Sequence, residues 1–170
     1  MNKNSIALIG MSGVGKTTVG KELAKALNGC GFVDIDGEIE KYANKTITEI
    51  FEEFGEPFFR VLEKDTIKKI TESDIKQVIS LGGGAFEDEL TRKNLLKNST
   101  VIYLKAKAED IYERIKYAKN RPLLKDISPE KIDSIMQKRI VNYEKAHFII
   151  DTTNKTQYNI VEEIMNLCLK

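Results

Sequence analysis

A chain of 170 residues is one domain's worth, long enough to bury a core without disulfide or metal staples. Lys+Arg 27 against Asp+Glu 26 leaves a net charge of +1, with the two signs interleaved, so bulk electrostatics favour neither nucleic acid nor an anionic membrane. Cys30 and Cys168 lie outside any Cys-x-x-Cys pattern and His147 is the single histidine, which argues against a thiol or imidazole metal site; with no signal peptide or transmembrane span, a cytoplasmic protein is expected.

In chain order, the apolar run at 6–9 predicts a first strand. It feeds Gly10-Met11-Ser12-Gly13-Val14-Gly15-Lys16-Thr17, a match to Gly-x-x-x-x-Gly-Lys-Ser/Thr, after which Val19, Leu23 and Leu27 mark one apolar helix face. A polyphosphate needs several converging backbone N–H donors, and glycines let the backbone come close. The helix behind the loop adds its positive end. Gly13, Val14, Gly15, Lys16, Thr17 and Thr18 are therefore the expected phosphate cradle. Lys16 reaches the β- and γ-phosphates, and the Thr17 hydroxyl ligates Mg²⁺. The chain is expected to bind ATP or GTP.

A second strand at 32–35 runs into Asp34-Ile35-Asp36. Strand alternation points both carboxylates one way, at the sheet edge that holds the phosphate loop. They could support Mg²⁺ and hold an acceptor hydroxyl; Asp36 could equally cap a helix before Gly37. Thr46-x-x-Glu49 then opens a helix carrying Ile47, Ile50, Phe51 and Phe54, and Pro57 starts another with Phe58, Val61 and Leu62. Arg60 sits among those apolar residues. A third strand at 78–81 meets Gly82-Gly83-Gly84, which marks either a tight turn or a close approach of substrate to backbone. Ser80 occupies a place where an acidic metal ligand is common, which shifts metal support to Asp34.

After a fourth strand at 101–104, the polar loop from Ala118 to Asp126 is either an ordinary connection or a lid that brings Arg121 over the phosphates. Ser128-Pro129 opens a helix with the stripe Ile132, Ile135, Met136, Ile140 and Tyr143, and Arg139 lies on that stripe. One such arginine usually snorkels. Two, Arg60 and Arg139, in a phosphate-binding protein point to a buried anion, since guanidinium forks match carboxylates bidentately. A last strand at 148–150 and an amphipathic segment with Ile160, Val161 and Ile164 complete an α/β pattern: a parallel sheet between helices in one domain over 1–170.

Together these residues resemble the shikimate kinase family almost end to end. The resemblance rests on the phosphate loop, Asp34/Asp36, Phe59-Arg60-Val61-Leu62-Glu63, Gly82 to Gly84, Arg121-Pro122-Leu123-Leu124, and Arg139 with Tyr143. It implies a three-layer P-loop kinase fold with a five-stranded parallel sheet, a substrate-binding region around 36–62 and a lid around 115–126. It assigns Asp36, Arg60, the glycines Gly82, Gly83 and Gly84, and Arg139 to shikimate. Lys16, Asp36 and Arg121 are the implied catalytic residues, Arg121 and Arg114 contact ATP, and Thr17 with Asp34 holds one Mg²⁺ per subunit. The implied partners are shikimate and ATP, with no nucleic acid or membrane, and the implied state is a monomer. Val61 departs from an arginine often found after Arg60, and the segment 154–157 matches the adenine loop poorly.

Two rivals remain at this level. One is a gluconate or nucleoside monophosphate kinase of the same fold. The other is a GTP-dependent switch, since Asp34-Ile35-Asp36-Gly37 fits Asp-x-x-Gly and Asn154-Lys155-Thr156-Gln157 approaches Asn-Lys-x-Asp. Gln157 weakens the latter, because an amide offers guanine one acceptor oxygen instead of two.

Overall fold

The computed structural model describes residues 5–116 and 127–168. Five parallel strands form one sheet in the order β2-β3-β1-β4-β5. They are β1 (Ser5–Ile9), β2 (Gly31–Asp34), β3 (Gln77–Ser80), β4 (Ser99–Lys105) and β5 (Phe148–Asp151). The central strands β1 and β3 are buried along their whole length, as a parallel sheet covered on both faces requires, while β2 and β5 form the partly exposed edges. Ala7, Leu8, Val78, Ile79, Val101, Ile102 and Leu104 are completely buried. Each large aliphatic side chain so placed contributes ~1.5–3 kcal/mol.

Seven helices are described: α1 (Lys16–Ala26), α2 (Ile35–Ala43), α3 (Ile47–Thr71), α4 (Glu89–Asn98), α5 (Ala108–Ile115), α6 (Pro129–Tyr143) and α7 (Gln157–Cys168). The expected strands all form, yet two boundaries move. Ile35 opens α2 instead of ending β2, and Leu81 lies beyond β3. The caps explain several starts. Thr46 and Glu49 close the anticipated capping box, and Ser128 accepts from the Lys131 N–H ahead of Pro129 in the first turn. As expected, a second helical segment opens at Pro57: α3 is two helices joined across a kink at Gly55, whose φ of 81° a residue with a side chain rarely adopts, and Pro57 lies in the first turn after it. That break precedes the turn bearing Arg60.

Candidate active site

The phosphate loop joins β1 to α1 at the C-terminal edge of the sheet, where open parallel sheets collect ligands. Gly15 stands at φ 105° as the N-cap of α1, and a Cβ built there meets nothing within 4 Å. The backbone there is open on its side-chain face, room that a helix N-terminus can offer to an anion. Lys16 is buried, and its Nζ donates to the carbonyls of Gly10 at 2.8 Å and Met11 at 2.9 Å.

Thr17 Oγ1 donates to Asp34 Oδ2 at 2.8 Å and lies 3.3 Å from Ser80 Oγ. This is an all-oxygen cluster of one carboxylate and two hydroxyls, a donor set suited to a hard cation that keeps most of its waters. The two aspartates are not related by strand alternation as expected. β2 ends at Asp34, which caps α2 by accepting from the Gly37 N–H, and Asp36 rides on the first helical turn. The helix start separates their roles: Asp34 faces Thr17, and Asp36 faces Gly82.

The three glycines after β3 are each needed by a different neighbour. A Cβ on Gly82 would lie 2.5 Å from Glu63 Oε1 and 3.4 Å from Asp36 Oδ1. On Gly83 it would meet Arg139 Nη1 at 3.3 Å, and on Gly84 it would meet Arg60 Nη2 at 2.8 Å. One tripeptide therefore gathers side chains from α2, α3 and α6. Arg139 Nη1 also donates to the Gly83 carbonyl at 3.1 Å, and the Tyr143 hydroxyl donates to the same oxygen. Burial pushes the Tyr143 hydroxyl up to about 12, so it remains a donor at neutral pH.

Arg60 is clamped by carboxylates. Its Nη1 donates to Glu63 Oε2 at 2.6 Å, while Nε and Nη2 both reach Glu56 Oε1, at 3.1 and 2.9 Å. Burial lowers the guanidinium's pKa, but these carboxylates more than offset it. Glu63 is 3% exposed, and burial holds its carboxyl above the usual range despite the pull of Arg60; Asp36 adds to the rise.

Arg114 Nη1 donates to the Val14 carbonyl at 3.0 Å, which brings it to the phosphate loop. A cleft of about 690 Å³ opens there between Gly13, Thr18, Arg114, Lys155, Gln157 and Tyr158. The segment that matched its motif poorly thus forms a wall beside the loop, a placement no local pattern could supply. Glu63 was visible only within a motif; its signal was the three-residue spacing from Arg60. Arg121 and residues 117–126 of the expected lid lie outside the described residues.

The family model described as "Shikimate kinase" matches residues 12–169. A protein named shikimate kinase from Thermodesulfovibrio yellowstonii is 45% identical over 162 residues, covering 95% of this chain and 92% of that one. One from Persephonella marina is 44% identical over 161 residues, covering 95% and 96%. Among solved structures, shikimate kinase from Acinetobacter baumannii in complex with shikimate superposes with a TM-score of 0.93 at 35% identity, covering 99% and 94%.

Proposed function

The chain belongs to the shikimate kinase family, and we propose that the residues gathered around Gly82 to Gly84 receive shikimate while Gly13 to Thr18 receive ATP. The enzyme transfers the γ-phosphoryl group of ATP to the 3-hydroxyl of shikimate, giving 3-phosphoshikimate and ADP for aromatic amino-acid biosynthesis. The observation that carries the residue assignment is the glycine tripeptide. It brings two guanidiniums and two carboxyl groups to consecutive residues next to the phosphate loop. That arrangement fits an acceptor with one carboxylate and several hydroxyls.

Arg60 and Arg139 grip the shikimate carboxylate, and the backbone of Gly82, Gly83 and Gly84 lies along the ring. Asp36 orients the 3-hydroxyl. As the hydroxyl oxygen bonds to the γ-phosphorus, the bond from that phosphorus to the β–γ bridging oxygen breaks, ADP departs, and the hydroxyl proton passes late to Asp36. The transition state is loose, so positioning and charge neutralisation outweigh base strength. Lys16 leaves its carbonyl partners for the phosphates, and Arg121 joins it there. Val14, Gly15 and Thr18 contribute to the phosphate cradle, and Arg114 lies against the nucleotide.

The reaction uses ATP with Mg²⁺. Thr17 and Asp34 would hold that ion, one per subunit, and when bound it supplies charge neutralisation to the phosphates. The chain acts as one domain over 1–170, with 36–62 as acceptor region and 115–126 as lid. The proposed state is a cytoplasmic monomer. Among the described residues no helix is long and apolar enough to cross a membrane.

The test is ADP release in the presence of shikimate, gluconate or a nucleoside monophosphate, each with and without Mg²⁺. Turnover with shikimate and Mg²⁺ alone is expected. Equal turnover with gluconate would overturn the acceptor assignment, and GTP preference would restore the switch reading.

A further inference from the structure

Beyond the glycine tripeptide the chain makes one turn of 3₁₀ helix, Ala85–Glu87, and the last residue of that turn reaches back to α6. Asn142 Nδ2 donates to Glu87 Oε2 at 3.0 Å. Glu87 Oε1 is also buried, and among the described residues no donor reaches it. The carboxylate therefore depends on the Asn142 amide to stay in place, since a buried carboxylate without hydrogen bonds is costly. Behind the turn, Arg92 Nη1 donates to the carbonyls of Phe86 at 2.8 Å and Glu87 at 3.1 Å, which ties this end to α4. A cavity of about 330 Å³ runs past Gly84 from Arg60 to Glu87, so packing alone does not fix the stretch between them.

Arg139, Asn142 and Tyr143 are spaced three and four residues apart on α6 and share one face. Arg139 and Tyr143 donate to a single atom, the Gly83 carbonyl oxygen. Two bonds to one atom hold its place but leave the turn able to pivot about it. The third bond, from Asn142, lands four residues further on and removes that freedom. Gly84 lies between the two anchors, and the Arg60 guanidinium fills the space of its missing side chain, 2.8 Å from where a Cβ would stand. The angle of the turn about Gly83 therefore decides how far Arg60 sits from Arg139.

We propose that Asn142 and Glu87 are positioning residues, whose hydrogen bond sets the spacing of Arg60 and Arg139 and so the fit of the acceptor's carboxylate. The proposal rests on the shikimate kinase reading, in which both guanidiniums grip that group. Guanidinium–carboxylate recognition is planar and bidentate, so a small change of spacing weakens it. Neither residue belongs to the nucleotide contacts assigned above, so ATP binding is left as it is.

Exchanging donor and acceptor tests the bond itself. Asn142→Asp sets a second carboxylate against Glu87 and should raise the KM for shikimate about tenfold, within the worth of a hydrogen bond to a charged group. The KM for ATP and kcat should stay within about twofold of the parent, the pattern of lost acceptor binding alone. Adding Glu87→Gln to Asn142→Asp restores a donor and an acceptor with their roles reversed, and the KM for shikimate should recover to within about threefold of the parent. Glu87→Ala removes the acceptor without adding charge and serves if Asn142→Asp does not fold; a rise of about threefold or more is expected there. ADP release at varied shikimate and varied ATP yields every constant. An unchanged KM for shikimate in both single variants, or no recovery in the double variant, overturns the proposal. So does a KM for ATP that rises in step, the mark of general loosening. A parent that turns over no shikimate would instead remove the functional reading beneath it.

Discussion

On the nucleotide side, Gly10 to Thr18 arrive as one stretch between β1 and α1. The proposed acceptor side draws Asp36 from α2, Arg60 and Glu63 from α3, three glycines from the end of β3 and Arg139 from α6. The glycines differ accordingly. Gly15 keeps open space where a side chain would be, and that space suits a phosphate. Gly82, Gly83 and Gly84 have theirs filled by the protein's own carboxylates and guanidiniums. Gly10 and Gly13, by contrast, press on the Leu104 carbonyl and the Ile115 side chain, so within the phosphate loop Gly15 is the bare position compared here. Substitutions on the two sides should therefore fail in different ways.

The largest effect is expected on the nucleotide side. Lys16→Met should keep the fold and lose roughly 10²–10³ in kcat, the usual worth of one electrostatic donor to the reacting group. Steady-state ADP release together with circular dichroism checks it, and near-parental turnover would erase the role of Lys16. Arg121→Ala should lower kcat to a comparable degree while leaving calorimetric shikimate binding unchanged, since its contact belongs to the reacting complex. Normal kcat in that variant would return 118–126 to a plain connection.

On the acceptor side, Arg139→Leu should weaken shikimate binding by about 2–3 kcal/mol, the scale of truncating one partner of a charge pair. Stability should hold, because the Tyr143 hydroxyl still serves the Gly83 carbonyl. Unfolding with intact shikimate affinity in the folded remainder would make Arg139 structural. Gly84→Ala is a finer test. Its methyl would press on the Arg60 guanidinium, the far end of a flexible chain that can swing aside. The expected result is a KM for shikimate raised about tenfold, within the 1–3 kcal/mol of overpacking, with the KM for ATP unmoved. A rise in both constants would show that the two sides are not separable in this way.

The smallest effect concerns Glu63. Its carboxyl is raised in the folded protein by burial, so the folded state binds the proton more tightly than the unfolded chain does. Stability from this group is full below the ordinary value of 4.5 and is lost as pH climbs from there through the raised value. Glu63→Gln should remove that decline, which amounts to at most about 1.4 kcal/mol per pH unit. Urea unfolding from pH 4.5 upward compares the slopes. Identical slopes in parent and variant would mean that Glu63 titrates as in the open chain.

The same contrast explains what could be read before folding. The phosphate loop is contiguous, so its motif names its residues and its strand-loop-helix setting in one line. Arg60 and Arg139 were detectable only as charges misplaced on apolar helix faces, and nothing local said that they meet neighbouring glycines. Asp34 and Asp36 were read as a strand pair because two residues of alternation fit; the Asp34 cap starts α2 one residue later and overrides that period. Pro57 was legible as a helix start because proline favours a first turn, and the kink at Gly55 does open a helical segment there. The wall at 155–158 meets partners far along the chain, and sequence spacing does not carry such information, whereas Glu63 was signalled only by its three-residue spacing from Arg60.

The chain has no tryptophan, so its near-ultraviolet signal belongs mainly to six tyrosines. Two of them, Tyr103 and Tyr143, are almost fully buried and packed against each other, and both hydroxyls are pushed up to about 12. Tyr42 and Tyr158 are largely exposed. The asymmetric optical band should therefore be dominated by the ring pair whose hydroxyl donates to the Gly83 carbonyl. The protein thus carries an intrinsic chromophore beneath its acceptor loop, unaltered by phenol ionisation over the working pH range. Shikimate binding is expected to change this tyrosine circular-dichroism band, and a titration followed at that band checks it with no label attached.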